Sequence, residues 1–390
     1  MQREKKKVKR FSKFMNNKMD YILFITVLIL LSLGVVMVLS ASAPSALSST
    51  GKSYTYFLKQ FEFALAGIGL MLFFSKSDYR FLKKYYKVIY VISVAILLLV
   101  LVPKLGKSVN GAKRWIDLGI ITFQPSEIVK ILMIIFYAGI LVKDREELGS
   151  FWKGIVKHLL YLVPIAALLV IEPHVSTTMV ISIVVCIMMI MAGCKFWQFI
   201  LSGLIALSAA GGIATVLYYA SSWFQKKFQY IVTRFITFTD PWQDATGKGW
   251  QIIQSLYAIG SGGLFGVGLG ESKQKYLYLS EPYNDFIFSV LAEELGFVGC
   301  LLVFVLFAFF IWRGVLIAMR APDMFGSLVA IGITALVGVQ VIINVAVVTS
   351  SMPVTGMQLP FFSYGGTALA LLLCEVGILL SISRAGNKNN

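Results

Sequence analysis

Ten apolar runs, each about one bilayer long, punctuate this chain. They are read at 21–41, 56–75, 86–103, 127–142, 155–171, 175–193, 197–220, 285–312, 325–349 and 366–383. A helix needs roughly 17–25 residues to cross the hydrocarbon of a membrane. Lipid offers no partner to backbone N–H and C=O groups, so such runs must close their hydrogen bonds internally, as helices. With 58% hydrophobic and only 14% charged residues, the chain carries more apolar surface than a water-facing globule could bury, since about a quarter of the residues of a soluble protein are charged. The expected fold is an all-α polytopic membrane protein with ten transmembrane helices.

The N-terminus has a basic region, an apolar stretch and then Ser40-Ala41-Ser42-Ala43, an order that also describes a cleaved leader. The stretch from Tyr21 to Leu39 is longer than a leader core and many others follow, so it is read as the first span. The segment before Asp20 carries eight Lys and Arg. Cationic loops stay in the cytoplasm. The loops that then fall on the same side hold Lys76, Arg80, Lys83 and Lys84, then Lys143, Arg145 and Lys153, then Lys195, then Arg313 and Arg320. An even number of spans places both termini in the cytoplasm. The expected organisation is a basic tail at 1–20, a membrane domain at 21–383 with a large extracytoplasmic loop at 221–284, and a short tail at 384–390. Glu172-Pro173-His174 is all that divides the fifth and sixth runs, which are therefore either a tight hairpin or one broken helix.

The formal net charge of +16 is spread over short loops and one N-terminal block. No basic stripe interleaved with aromatics occurs, which argues against nucleic acid. Two outer segments break the charge bias. One, from Lys104 to about Ser126, holds Lys113 and Arg114; the other, 221–284, holds Lys273 and Lys275. Long loops cross regardless of charge, and basic side chains settle among lipid phosphates. Equally, such cations can bind an anionic substrate at the outer surface. Cys186, Cys194, Cys300 and Cys374 lie in or beside apolar runs without ligand spacing, and the two histidines are His158 and His174, so no metal-ligating set is read. The glycines between Gly260 and Gly270 fit neither the dinucleotide fingerprint nor the phosphate loop.

Acids and bases inside apolar runs are expensive and are functional candidates. Asp285 stands at the start of the eighth run, with Glu293 and Glu294 deeper in it, Glu375 in the tenth, and Lys130 in the fourth on the same helix face as Glu127. An Asp that opens a helix is commonly an N-cap. At a membrane rim beside cations it can instead serve as a general base, if partial burial raises its pKa. Lys130, Glu293 and Glu294 are expected to form structural ion pairs, the alternative being a proton or ion path.

At these residues a family resemblance emerges. Glu281-Pro282-Tyr283-Asn284-Asp285-Phe286-Ile287-Phe288, followed by Glu293-Glu294-Leu295-Gly296, resembles the signature of the SEDS family, the FtsW, RodA and SpoVE proteins of shape, elongation, division and sporulation. Further stretches agree in order: Asn110 to Gly119, Gln124-Pro125-Ser126-Glu127 with Lys130, Trp250-Gln251 through Gly270, and Gly356-Met357-Gln358-Leu359-Pro360-Phe361-Phe362-Ser363-Tyr364-Gly365-Gly366. The resemblance implies a ten-helix peptidoglycan glycosyltransferase in the bacterial cytoplasmic membrane, which polymerises lipid II on its outer face and releases undecaprenyl diphosphate. It implies Asp285 as the essential acid, and a class B penicillin-binding protein as partner among divisome or elongasome membrane proteins. Lys113, Arg114, Lys273 and Lys275 are the cations expected to hold the diphosphate. No cofactor is required by the pattern, although a divalent cation, Mg or Mn, would suit the leaving group. Two departures stand out: His174 occupies a position where the family pattern has an acid, and Tyr283-Asn284 replaces the usual pair before Asp285. The division branch is the working choice among division, elongation and sporulation. The rival class is a lipid II flippase or proton-coupled transporter, favoured by the intramembrane acids and the break at Pro173.

Overall fold

A computed structural model describes residues 18–102, 105–109, 112–117, 119, 122–172, 174–203, 219, 238–245, 247, 249–276 and 278–386. Its helices are α1 (Tyr21–Thr50), α2 (Thr55–Lys76), the short α3 (Arg80–Lys84), α4 (Tyr86–Leu101), α5 (Pro125–Lys143), α6 (Lys157–Ile171, preceded by a π-turn from Phe151), α7 (Val175–Ala192), α8 (Trp250–Ser261), α9 (Ile287–Met319), α10 (Met324–Val348) and α11 (Gly366–Gly386). Among the described residues, eight helices are long and apolar enough to cross a membrane. These are α1, α2, α5, α6 with its π-turn, α7, α9, α10 and α11. The run at 86–103 forms only the 16 residues of α4, about 24 Å at 1.5 Å per residue, short of a full hydrocarbon crossing. Most of the run at 197–220 lies outside the described residues. The count of ten therefore remains an expectation.

Local chemistry fixes the helix ends. Asp20 caps α1 by accepting the Leu23 N–H at 3.0 Å, and α1 stops at Gly51 in a left-handed conformation. Proline occupies the first turn of α5, where its missing N–H costs nothing. Asp323 caps α10 through the Gly326 N–H at 2.9 Å and also takes the Tyr79 hydroxyl at 2.6 Å and the Arg80 Nε at 3.0 Å. That joint ties α3 to the α9–α10 turn. α6 ends at Ile171 and α7 begins at Val175, and the two pack against each other as separate helices, so the broken-helix alternative is set aside.

α5 and α10 sit at the centre, with 78% of the apolar stretch of each buried, against 22% for α2 and 28% for α9. α11 packs along α2, and α10 meets α5, α7 and α9. The outer helices present Leu65, Phe73, Phe297 and Leu302 as exposed side chains. Contiguous faces of this kind are sustained by lipid, not water, and the chain is a multi-pass membrane protein.

Two features were not visible in the apolar pattern. The first is a three-stranded antiparallel sheet, β1 (Gly106–Val109), β2 (Ala112–Asp117) and β3 (Thr122–Phe123), with Lys107 opposite Trp115 and Ile116 opposite Phe123. The Lys107–Asp117 ion pair at 2.9 Å spans its first two strands. The second is a break in α9 at Gly296, where φ is 66° and ψ is −167°. The glycine-rich segment lies against it. Val267 and Gly268 N–H groups donate to the carbonyls of Glu293 and Glu294 at 3.0 and 3.1 Å, while Phe297 and Val298 N–H groups donate to Gly263 and Leu264 at 2.9 and 3.0 Å. Backbone groups released by the break are thus satisfied by a loop, the condition for non-helical chain at membrane depth. Gly266, with φ of +80°, permits this because any Cβ there would run into the Glu294 carbonyl.

Candidate active site

Asp285 lies just before α9, whose first turn is preceded by Phe286 and receives no side-chain cap. The N-cap explanation therefore fails for Asp285. Its backbone is held instead: Asn344 Nδ2, from the end of α10, donates to the Asp285 carbonyl at 2.9 Å and to the Met357 carbonyl at 2.6 Å. The loop 350–365 wraps the same point. Ser363 Oγ donates to the Asn284 carbonyl at 2.7 Å, and the Tyr364 N–H donates to the Tyr283 carbonyl at 2.8 Å. Gly356 has φ of +69°, and a Cβ there would stand 3.1 Å from Asp285 Oδ2. Glycine thus keeps the loop close to the carboxylate. The Tyr283 ring stacks on Tyr56 with centroids 5.0 Å apart and meets Tyr364 edge-on at 5.8 Å, so this departure from the family pattern packs an aromatic cluster beside the site.

The Asp285 carboxyl is half-buried and has no hydrogen-bond partner among the described residues. Burial, aided by the nearby Glu281 charge and opposed by Arg114, raises its pKa from 3.8 to about 6. That is the range a general base needs near neutrality. Arg114 comes from β2, so the unforeseen sheet is what aims it. Its Nε donates to the Glu172 carbonyl at 3.3 Å, which joins β2 to the α6–α7 turn.

The same turn carries two groups that the sequence reading did not single out as site members. Glu172 is 2% exposed, with both carboxylate oxygens lacking hydrogen-bond partners among the described residues, and burial lifts its pKa to about 7 against the pull of Arg114. His174 pairs with Gln124 at 2.6 Å, and burial together with Arg114 and Lys130 pushes its pKa down to about 3, so it is neutral. A buried acid and a histidine flanking Pro173 were a readable signal, but spacing alone did not bring them to Arg114.

The other expected residues fall into two clusters instead of one network. Lys130 pairs with Glu127 at 2.7 Å, one turn away on α5, and not with Glu293 or Glu294. Glu294 pairs with Lys275 at 2.9 Å, and Ser40 of α1 bridges both, with its Oγ 2.6 Å from Glu294 and 3.0 Å from Lys275 Nζ. Glu293 accepts the Ser272 hydroxyl at 2.5 Å and the Lys273 N–H at 2.9 Å. Lys275, expected among the diphosphate cations, is 3% exposed and committed to Glu294, which removes it from that role. Lys273 is exposed on the same loop and stays available. Lys113 lies in β2, and its side chain is outside the described residues. Among the described residues no three His, Cys, Asp or Glu side chains are grouped to hold a metal ion.

Residues 20–388 match the family model FTSW_RODA_SPOVE, described as cell cycle protein. The chain is 42% identical over 365 residues to Stage V sporulation protein E of Bacillus subtilis (strain 168), covering 94% of this chain and 97% of that protein. It is 38% identical over 364 residues to the probable peptidoglycan glycosyltransferase FtsW of Geobacter sp. (strain M18), covering 93% and 96% of the two. Its fold matches a chain from a peptidoglycan synthase complex that coordinates polymerization and crosslinking, with a TM-score of 0.75 and 27% identity over 95% of this chain and 99% of that one. With the match running through every span and every motif around Asp285, the chain belongs to the FtsW/RodA/SpoVE family.

Proposed function

We propose that this protein is a peptidoglycan glycosyltransferase that polymerises lipid II at the extracytoplasmic face of the membrane. The observation that carries the reading is the Asp285 carboxyl, half-buried, free of hydrogen-bond partners among the described residues and raised toward neutral pKa beside Arg114. Its relatives point the same way, one being named a probable peptidoglycan glycosyltransferase.

Asp285 accepts the proton of the C4 hydroxyl of the acceptor sugar as that oxygen attacks the donor's anomeric carbon. The bond to the diphosphate breaks on the opposite face, so the configuration inverts. Charge building on the diphosphate is offset by Arg114, with Lys113 and Lys273 as further cations. The polyprenyl tail stays in lipid while the headgroup reaches the site. The Lys275–Glu294–Ser40 cluster ties α1 and α9 to the loop beside it, while Lys130–Glu127 pairs charges within α5. A class B penicillin-binding protein is the partner that would crosslink the strand, a pairing suggested by the synthase complex whose chain this one resembles. Relatives named Stage V sporulation protein E and FtsW both match along nearly the whole chain, so the branch is decided by phenotype: loss of the gene would give defective spores, filaments or round cells for sporulation, division or elongation.

Lipid II supplied in detergent, with no sealed compartment, should be converted to polymer by the purified chain with its partner. Movement of lipid II across sealed vesicles without polymer would instead establish the transporter.

A further inference from the structure

A small cavity of about 40 Å³ opens between α5, α10, α11 and the loop 350–365, lined among others by Glu127, Lys130, Gln340, Gln358, Ser363 and Glu375. Its polar groups are unevenly used. Lys130 is taken by Glu127 Oε2 at 2.7 Å. The Gln340 amide N–H faces Met357 Sδ at 3.9 Å, and that of Gln358 donates to the Tyr364 carbonyl at 3.5 Å. The donors are therefore engaged, while the amide oxygens of both glutamines have no partner among the described residues. Glu375 is 3% exposed, and its carboxylate has no hydrogen-bond or ion-pair partner among the described residues. It lies about 13 Å along α11 from the helix start at 1.5 Å per residue, well inside the membrane-spanning part.

Residues with unpartnered acceptors thus line the cavity, and its charges do not balance. With Glu127 and Glu375 ionised, the one lysine leaves an excess negative charge at membrane depth, where an isolated carboxylate is costly. We propose that this cavity binds a monovalent metal cation, held by Glu375 together with the amide oxygens of Gln340 and Gln358 and the remaining oxygen of Glu127. One positive charge closes the balance, whereas a divalent ion would overshoot it beside Lys130. Hard carboxylate and amide oxygens suit an alkali cation, and the volume admits accompanying water. The ion would join α5, α10 and α11 to the loop whose Gly356 borders Asp285. The inference goes beyond the proposed activity and stands or falls without it.

The test uses the full-length purified chain in detergent at neutral pH, melted in NaCl, KCl or choline chloride at equal ionic strength. The expected result is a saturating rise in melting temperature, roughly 5 °C, in one alkali salt over choline, with the sodium and potassium arms naming the ion. Glu375→Gln, close in shape, should melt alike in all three salts. Identical wild-type melting in the three salts would overturn the proposal, and needs no variant. So would a cation-specific rise that persists in Glu375→Gln, or a wild-type chain indifferent to cations but stabilised by acid, since a proton would then neutralise Glu375.

Discussion

The proposal that Asp285 is the base rests on where the chain holds it. The backbone is pinned by Asn344 and by the loop 350–365, while the carboxyl has no partner among the described residues and is partly desolvated. Asp285→Asn keeps shape and loses the base, so polymer synthesis should fall roughly 10²-fold or more in a lipid II assay, with partner binding intact. Wild-type activity should rise with pH along a limb centred near 6, because only the ionised carboxylate accepts a proton. The stability consequence has the opposite sense. A carboxyl whose folded pKa lies above its ordinary 3.8 binds its proton more tightly when folded, so stability is lost as pH rises from about 4 through about 6. Asp285→Asn removes that loss and should melt no lower than wild type above pH 6. The sequence made Asp285 legible because an acid at the edge of an apolar run is costly. It misread Lys275, because a lysine in a polar loop gives no sign that the loop folds back against Glu294. Lys275→Met should strip that buried pair and cost about 3–5 kcal/mol in detergent melts, with part of it recovered by adding Glu294→Leu. Lys273→Ala, on the exposed neighbour, should leave melting unchanged and weaken substrate use.

At the scale of elements, the helices follow directly from hydrophobic run length, and their ends from caps such as Asp20 and Asp323. α1 nonetheless runs to Thr50, past the apolar stretch that ends near Ala41, because Ser and Ala residues continue a helix without needing lipid. The sheet β1–β3 escaped notice because its strands are short and polar. It is the element that delivers Arg114, so part of the site was out of reach of a pattern of apolar runs. The glycines at 260–270 matched no phosphate-binding pattern, and the role of their segment, to satisfy the backbone of broken α9, shows only with the two packed segments in view. Gly266→Ala places a methyl against the Glu294 carbonyl at a left-handed backbone position. A loss of several degrees in melting temperature is expected, along with reduced activity, since the same loop carries Lys273.

For the whole molecule, the cation bias of the loops predicts an orientation with the Asp285 end outward. Lys273→Cys should then react in intact cells with a maleimide that cannot cross the membrane, while the native cysteines, all buried or half-buried in or beside helices, stay unlabelled. Architecture, charge and site support the proposal that a carboxylate at the rim of a lipid-embedded bundle builds glycan strands. The most direct measurement mixes purified chain, its class B penicillin-binding protein and lipid II in detergent at neutral pH, and resolves the products by length, for wild type beside Asp285→Asn. Long glycan polymer from wild type and none from the variant is the predicted result. Equal polymer from both would contradict the account at its centre.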